Sequence, residues 1–471
     1  MTSLNQITIK EAKKGLKNKK FSSVELAKAC LEQVKKHNKD LNAFITVTEK
    51  EALESARIAD KLIAEEVDLP LLGIPIALKD LFSTKGVRTT AGSKVLENYI
   101  PQYDATIVKK LKAAGVVIIG KTNLDAWAHG SSGENSDFGA TRNPWSKEYV
   151  PGGSSSGSAV SVASDMCIAS TGTDTGGSIR LPASFNNIVG LKPTYGRVSR
   201  YGIIAMASSL DSIGHFTKTV EDSALFFNVT AGKDYLDATT LPNPTENFTK
   251  NLEKGIKGLK LGVPKEFVTP DLDKEVKTGL EKSIKVLEGL GAKIVEISLP
   301  HTEYGIAAYY IIQPSEVSSN LARYDGIRYG ADRSFFGDEA KRRIMLGTFT
   351  LSSGYYDAYY KKAMSIRTLI KKDLDDAFQK VDALISPVCP TLPWKLGEKI
   401  NDPLKMYLSD VLTVTANMAG VPSLSVPAGF SKNKLPIGIQ FMGKQLSESL
   451  LFQIGNSLEK QTGFYKQKPN L

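Results

Sequence analysis

The stretch from Pro151 to Arg180, PGGSSSGSAVSVASDMCIASTGTDTGGSIR, constrains the fold more than any other part of the sequence. Its glycine and serine content is typical of a flexible linker. A solvated linker, however, has no reason to carry the apolar side chains of Val160, Val162, Met166 and Ile168. The pattern therefore predicts a packed core segment between two tight turns, where glycine lets backbone approach backbone or a substrate.

The second of these turns, residues 173–178 (TDTGGS), offers consecutive backbone N–H groups with few side chains in the way. Such an array beside a hydroxyl nucleophile is the arrangement of an oxyanion hole. A serine nucleophile needs a base, and the chain has only four histidines, so a lysine is the candidate. The lysine must have a lowered pKa, because only a neutral amine accepts a proton.

Lys79 meets this requirement on paper, because it follows an apolar run at 71–78 that predicts a buried strand. A relay could then lead from Lys79 through Ser154, after Gly152-Gly153, to Ser178, after Gly176-Gly177. The alternative is a lysine at a strand end that simply reaches solvent. Spacing alone does not decide between the two interpretations.

The alternation of predicted elements favours an α/β layered core. A helix followed by a strand is predicted at 104–119, at 272–298 and again at 356–385. With 41% hydrophobic and 23% charged residues the composition is that of a globular protein, and no charge block divides the chain. We expect a single domain over 1–471, with an N-terminal helical region of about 1–66, a central part of about 67–220 and a C-terminal part of about 259–471.

Several classes of protein are disfavoured by the composition. No run approaches 18 apolar residues and the N-terminus lacks a hydrophobic signal core, so we expect a cytoplasmic protein. The three cysteines are far apart and odd in number, which favours free buried thiols in a reducing compartment. Neither a CxxC pair nor an HExxH helix is present, so no protein-built metal site is predicted.

The chain is basic, with 60 Lys and Arg against 50 Asp and Glu, a net charge of +10. Part of the excess is a lysine-rich segment within residues 10–20. This segment is interpreted either as a solvated helix face or as a contact for an acidic partner such as RNA.

Two segments match known functional motifs, but their sequence context does not fit the structures that those motifs require. Residues 115–122, GVVIIGKT, fit the P-loop pattern, but their Val-Val-Ile-Ile centre favours a strand rather than a turn around phosphate. Residues 153–157, GSSSG, fit the GxSxG elbow, but a loop rather than an apolar strand precedes them. We therefore predict neither a nucleotide site nor an α/β-hydrolase.

Three motifs resemble the amidase signature family: GGSSSGS at 152–158, TDTGGSIR at 173–180 and GLKPTYGR at 190–197. GIPIALKD at 73–80, SSLD at 208–211 and GVP at 420–422 extend the resemblance over nearly the whole chain. It implies the α/β fold of that family, with a large mixed central sheet covered by helices on both faces.

The resemblance also implies roles for individual residues. Ser178 would be the nucleophile, Ser154 the bridging serine after a cis peptide bond, and Lys79 the base. The N–H groups of Thr175, Gly176 and Gly177 would hold the oxyanion.

Within that family, segments 309–312, 318–326, 342–348 and 354–362 are similar to the glutamine-hydrolysing subunits of tRNA-dependent amidotransferases. Glutamine is a zwitterion, so its α-carboxylate needs a cation and its α-ammonium a carboxylate. The matching positions are Arg343 and Asp410.

The same similarity implies partners and cofactors. The chain would need no cofactor of its own, because the ATP and Mg²⁺ used by the complex are expected on a partner B subunit, which also binds tRNA. A small C subunit would complete a heterotrimer that converts Glu-tRNA(Gln) to Gln-tRNA(Gln). Two alternatives remain open: a stand-alone amidase of small or aryl amides, without need of Arg343 or Asp410, and a non-catalytic basic scaffold for tRNA assembly.

The sequence departs from those subunits at 125–130, where it has Asp-Ala-Trp-Ala-His-Gly and they carry Asp-Glu-Phe-Ala-Met-Gly. Ala126 removes an acidic residue, and His129 replaces a methionine close to the expected entrance for substrate. His129 is either a change in substrate specificity or a packing substitution. Segment 327–341 is also short relative to the family.

Overall fold

A computed structural model describes residues 3–328 and 330–471, and its centre is one large sheet. The strands are β1 (Phe44–Val47), β2 (Pro75–Lys79), β3 (Val117–Thr122), β4 (Ala169–Asp174), β5 (Val189–Lys192), β6 (Ser212–Thr217), β7 (Lys260–Pro264), β8 (Lys293–Ile297), β9 (Ala383–Pro387), β10 (Ser423–Phe430) and β11 (Pro436–Gly443). Their spatial order is β1-β3-β2-β4-β6-β5-β10-β11-β9-β7-β8. β2 pairs in parallel with β3 and β4, and β7 with β8 and β9, whereas the remaining pairs are antiparallel.

Helices pack against this sheet from one end to the other. They are α1 (Ile9–Lys17), α2 (Ser23–Leu41), α3 (Glu49–Ala64), α4 (Thr106–Ala113), α5 (Ser156–Ala163), α6 (Arg180–Phe185), α7 (Val220–Thr230), α8 (Lys274–Gly289), α9 (Gly305–Asn320), α10 (Asp338–Thr350), α11 (Lys362–Ala377), α12 (Pro403–Tyr407), α13 (Val414–Ala419) and α14 (Glu448–Thr462). The predicted α/β class with a large mixed sheet is confirmed. In the part of the chain that the structure describes, no helix has the length and apolar character needed to cross a membrane.

Local sequence rules account for many element boundaries. α2 begins at a capping box, where the Ser22 side chain accepts from the Glu25 N–H and the Glu25 carboxylate accepts from the Ser22 N–H. The predicted strand 293–297 is β8, and the helix predicted before it is α8, capped by Asp273. The apolar run 71–78 becomes a strand only from Pro75, because Gly73, at φ +75°, lies in a turn.

The N-terminal region of about 1–66, for which the sequence predicts helices, contains α1, α2 and α3 and in addition the strand β1, which the sequence does not predict. Four residues are too few to show a period-2 pattern, and two helix patterns flank them. β1 is fixed by long-range pairing instead, since it lies antiparallel to β3 at the edge of the sheet.

The glycine- and serine-rich stretch is packed, as predicted. All residues from 151 to 180 are buried, and they form α5, β4 and the turn that leads into α6. At Gly157 an added Cβ would overlap the Ala43 carbonyl oxygen and lie 2.6 Å from the Asn123 nitrogen. Small residues are therefore required because α5 lies directly on neighbouring backbone.

The segment that fits the P-loop pattern forms β3, which agrees with its rejection as a phosphate site. Its lysine, Lys121, is fully buried, pairs with Asp80 at 3.0 Å and donates to the Phe82 carbonyl and the Thr89 hydroxyl. Lys121 therefore has a structural role. The three cysteines are free and buried, as predicted.

We predict that Gly157→Ala destabilises the protein, because the neighbouring atoms are backbone and cannot move aside. The expected loss in free energy of unfolding is at least about 1–3 kcal/mol. Gly289→Ala is the matched control: Gly289 is also helical, but an added Cβ meets nothing within 4 Å, so its melting temperature should be unchanged or slightly higher. Differential scanning calorimetry of both variants tests this, and equal melting temperatures would contradict it.

Candidate active site

Lys79 lies at the end of β2 with its side chain fully buried. Its Nζ is 2.9 Å from Ser154 Oγ, 2.9 Å from Ser155 Oγ and 2.7 Å from Thr173 Oγ1. Burial lowers the pKa of Lys79 to about 7, against the opposing charges of nearby aspartates. A substantial fraction of the side chain is therefore a neutral amine near neutral pH.

The hydroxyls around Lys79 give its proton transfer a direction. Ser155 Oγ donates to the Thr173 carbonyl at 3.1 Å, so its oxygen can only accept from Lys79. A neutral amine has two N–H donors and one lone pair. With those donors directed to Ser155 and Thr173, the lone pair is left for the Ser154 hydroxyl. The geometry therefore suits removal of a proton from Ser154.

Ser154 is held by the segment that contains Asp125. The peptide bond between Gly153 and Ser154 is cis, and the Ser154 carbonyl accepts from the Asp125 N–H at 3.2 Å. The Asp125 carboxylate accepts from the N–H groups of Gly133 and Asn135 and lies directly against Gly153, where a Cβ would overlap it. The position of Ser154 is thus set by backbone contacts on both sides.

Ser178 follows Gly177 and precedes α6, and its backbone joins it to the same loop. The Ser178 carbonyl accepts from the Ser155 N–H at 3.3 Å. Ser178 is 8% exposed, whereas Lys79 and Ser154 are fully buried. Among residues 3–328 and 330–471, no hydrogen bond connects the hydroxyls of Ser154 and Ser178. The structure therefore brings together Lys79 and Ser154, and it places Ser178 beside them as the serine nearest to solvent.

The turn before Ser178 has the free N–H groups that the sequence predicted. The N–H groups of Thr175, Gly176 and Gly177 donate to no described residue, whereas the carbonyls of the two glycines accept from the Thr413 hydroxyl and the Leu181 N–H. At Gly177 φ is +143°, and a Cβ there would collide with Thr413. Glycine is required at this position, and the turn keeps several donors available to an oxyanion.

Asp410 is a buried carboxylate in the short helical turn Leu408–Asp410. It accepts from the Ser131 hydroxyl at 2.9 and 3.0 Å and from the Tyr310 hydroxyl at 3.0 Å. Burial raises the pKa of Asp410 to about 7, while these hydrogen bonds and the charge of Arg343 oppose the rise. Asp410 and Arg343 are therefore close enough to interact, although they lie far apart in the sequence.

Arg343 lies in α10 with almost no exposure. Its Nε donates to Glu339 Oε1 at 2.8 Å and its Nη1 to Gln313 Oε1 at 2.9 Å. The guanidinium also lies over the rings of Tyr310 and Tyr407, 5.5 and 5.6 Å from their centroids. These contacts fix its orientation and leave part of its donor edge free.

Sequence reasoning missed the residues that hold the predicted ones. Ser155 and Thr173 bind Lys79, and Ser131 and Tyr310 bind Asp410. Tyr310 was part of a motif noted in the sequence, but no spacing pattern indicated that it would meet Asp410. His129 is fully buried near Arg343, whose charge adds to burial in lowering its pKa well below the usual value.

Comparison with known proteins agrees with the motifs. The profile of the family described as Amidase matches residues 25–452. The A subunit of the glutamyl-tRNA(Gln) amidotransferase of Geobacter metallireducens is 51% identical, and that of Carboxydothermus hydrogenoformans 52%, each over 99% of this chain and 100% of the relative.

Solved structures of amidases and of amidotransferase A subunits are also similar to this chain over nearly its whole length. The crystal structure of the A subunit of the glutamyl-tRNA(Gln) amidotransferase from Thermotoga maritima is 44% identical with a TM-score of 0.84, covering 98% of this chain and 96% of that one. A bacterial aryl acylamidase of the amidase signature enzymes is 26% identical with a TM-score of 0.88, covering 98% of both chains.

The pKa of Lys79 yields a pH prediction. Because Lys79 accepts a proton only when neutral and burial lowers its pKa to about 7, kcat for amide hydrolysis should rise as pH increases from about 6 to about 8 and then level off. Substrate must be saturating, since Asp410 titrates in the same range and would change KM. A flat kcat profile across this range, or kcat retained in Lys79→Met, would show that Lys79 is not the base.

Proposed function

The chain belongs to the amidase signature family, and from this membership we propose that it is the glutamine-hydrolysing component of a tRNA-dependent amidotransferase. It releases ammonia that partner subunits use to convert Glu-tRNA(Gln) to Gln-tRNA(Gln). The observation that carries the proposal is the pair of Arg343 and Asp410, both buried and close enough for the charge of Arg343 to act on the carboxyl group of Asp410. Such a pair complements the carboxylate and ammonium of a free amino acid, which a simple amide lacks.

The proposed chemistry uses Lys79, Ser154 and Ser178 in sequence. The neutral amine of Lys79 takes the Ser154 proton while Ser154 takes that of Ser178. Ser178 Oγ then attacks the side-chain carbonyl of glutamine, and the N–H groups of the turn 175–177 stabilise the oxyanion. The C–N bond breaks, and the proton returns through Ser154 to the leaving nitrogen as ammonia. Water then cleaves the glutamyl ester on Ser178 by the reverse relay and releases glutamate.

The two proton transfers of this scheme differ in how closely their atoms already approach. The contact between Lys79 Nζ and Ser154 Oγ is already at hydrogen-bonding distance, 2.9 Å. The step from Ser178 to Ser154 requires the Ser178 hydroxyl to turn toward Ser154. Ser178 has the exposure that a nucleophile needs, since substrate reaches it from solvent.

The partner proposal is supported by an exposed apolar surface that begins on the helix carrying Arg343. It extends from α10 through the π-helix Tyr356–Lys361, and its members are Met345, Phe349, Tyr355, Tyr356 and Tyr359. Met345 is 72% exposed on the helix that also carries Arg343. Contiguous exposed apolar side chains are typical of protein interfaces. We propose that B and C subunits complete a cytoplasmic heterotrimer in which the B subunit binds ATP, Mg²⁺ and tRNA, while this chain needs no cofactor.

Ser178→Ala separates an enzyme from a scaffold. In the assembled complex, glutamine-dependent amidation of Glu-tRNA(Gln) should fall by at least about 10³-fold, because the nucleophile is lost. Amidation with free ammonium salts should persist, because it bypasses glutamine hydrolysis. Ser164→Ala is the control, since Ser164 is also a buried serine and its hydroxyl has no partner among the described residues. Retained glutamine-dependent activity in Ser178→Ala would support the scaffold alternative.

Arg343→Ala separates a glutaminase from a stand-alone amidase. Loss of a charge-assisted contact to the α-carboxylate should raise KM for glutamine by about 10- to 150-fold. Hydrolysis of an uncharged aryl amide, if present, should change far less. Steady-state kinetics with both substrates measures the difference. An unchanged KM for glutamine would contradict the proposed recognition of an amino acid.

A further inference from the structure

Gln313 presents an unpaired donor beside Arg343. It lies in α9 and is fully buried, and its Oε1 accepts from Arg343 Nη1 at 2.9 Å. A guanidinium can only donate, so this bond fixes which end of the amide is the oxygen. The other end, Nε2, is buried and has no partner among the described residues. Gln313 therefore holds two N–H groups next to Arg343 with no acceptor.

His129 supplies a second unpaired donor in the same neighbourhood. It is fully buried, and neither ring nitrogen has a partner in residues 3–328 and 330–471. A neutral imidazole always carries one N–H, and both burial and the charge of Arg343 keep the pKa of His129 low. His129 therefore offers one N–H donor at neutral pH.

Arg343 itself has donor capacity to spare. Of the five N–H groups of a guanidinium, Nε is used by Glu339 and one N–H of Nη1 by Gln313. Nη2 donates to no residue that the structure describes. A second hydrogen bond holds Glu339 in place, since the Tyr407 hydroxyl donates at 3.0 Å to the same Oε1 atom that accepts from Arg343.

Buried N–H groups without an acceptor destabilise the folded protein. A buried donor without an acceptor loses its hydrogen bond to water and gains none in the protein, and native structures contain few such groups. Here the two buried donors without an acceptor come from α9 and from the segment around His129, and both side chains lie near Arg343. An acceptor with several lone pairs would satisfy them together, and a carboxylate has about four such sites. The nearby Asp410 would hold the ammonium of the same molecule.

We propose that Gln313 and His129 complete, with Arg343, a donor pocket for the α-carboxylate of the substrate, and that Gln313 is a specificity-determining residue. This inference rests on the proposed function, in which Arg343 receives the α-carboxylate of glutamine. Gln313 has a double role, since its oxygen orients Arg343 while its nitrogen donates to the ligand. His129 contributes one further N–H donor.

The test compares glutamine with 4-aminobutanamide, which is glutamine without its α-carboxylate. In the complex purified with its partner subunits, Gln313→Leu should raise KM for glutamine by about 10-fold or more, with kcat within about twofold. The inhibition constant of 4-aminobutanamide against glutamine hydrolysis should not change. His129→Leu should show the same pattern with a smaller rise in KM.

Gln313→Glu guards against loss of fold, because it keeps the side-chain length and the pairing with Arg343. It replaces the amide NH2 donor by a carboxylate oxygen, which would repel the α-carboxylate of glutamine. KM for glutamine should therefore rise more than in Gln313→Leu. Gln453→Leu is the matched control, since Gln453 is a buried glutamine that donates to the Gly255 carbonyl instead; its KM should stay at the wild-type value.

The outcomes separate this inference from the function on which it rests. A wild-type complex that does not hydrolyse glutamine overturns both. A wild-type complex that does so while both Gln313 variants keep the wild-type KM overturns only the role of Gln313. An equal loss of affinity for glutamine and for 4-aminobutanamide would also overturn it. Gln313 would then support the shape of the binding site without contacting the α-carboxylate.

Discussion

The burial of Lys79 with no direct carboxylate partner among residues 3–328 and 330–471 is the constraint on which the candidate active site depends. Lysine is rarely buried unless it is paired, and Lys121 in the neighbouring strand follows that rule with Asp80 at 3.0 Å. In the part of the chain that the structure describes, the groups within hydrogen-bonding distance of Lys79 Nζ are all hydroxyls. Three hydroxyls can satisfy the N–H groups of an amine but cannot neutralise an ammonium, so the environment favours the neutral form. The two buried lysines therefore differ in charge compensation, and only Lys121 has a carboxylate within reach to hold it as an ammonium.

The stretch that first suggested a linker gives Lys79 this environment. Ser154 and Ser155 come from the start of the stretch and Thr173 from its later part, while α5 and β4 pack on the rest of the core. Asp174, directly after Thr173, forms a buried pair with Arg180 at 2.9 Å, and Asn417 donates to both its carbonyl and its carboxylate. The turn that carries the free N–H groups is thus held at both ends. Its donors are directed before substrate arrives, which is the condition for effective oxyanion stabilisation.

The sequence predicted the α/β class, the packing of the central stretch and the meeting of Lys79 with Ser154, because each depends on local composition or on a strong motif. It did not predict β1, whose four residues are defined by pairing with β3. Nor did it predict Thr173 as a partner of Lys79, or Gln313 as a partner of Arg343, because an isolated polar residue in a helix or strand has no pattern of its own. Such contacts depend on how distant elements pack, and only the three-dimensional arrangement reveals them.

Hydrogen bonds connect Asp410 to the turn 175–177, although the two regions are far apart in sequence. The Thr413 N–H donates to the Asp410 carbonyl at 2.9 Å, and the Thr413 hydroxyl donates to the Gly176 carbonyl. On the opposite side, Tyr310 donates to Asp410 while its neighbour Tyr309 lies against Gly176, where a Cβ would come within 2.6 Å of the phenol oxygen. A ligand that shifts Asp410 would therefore also act on the turn 175–177 and its free N–H groups. Binding of the correct amino acid would align the reacting carbonyl with its donors through two short routes, and an amide that leaves Asp410 unpaired would lack that alignment.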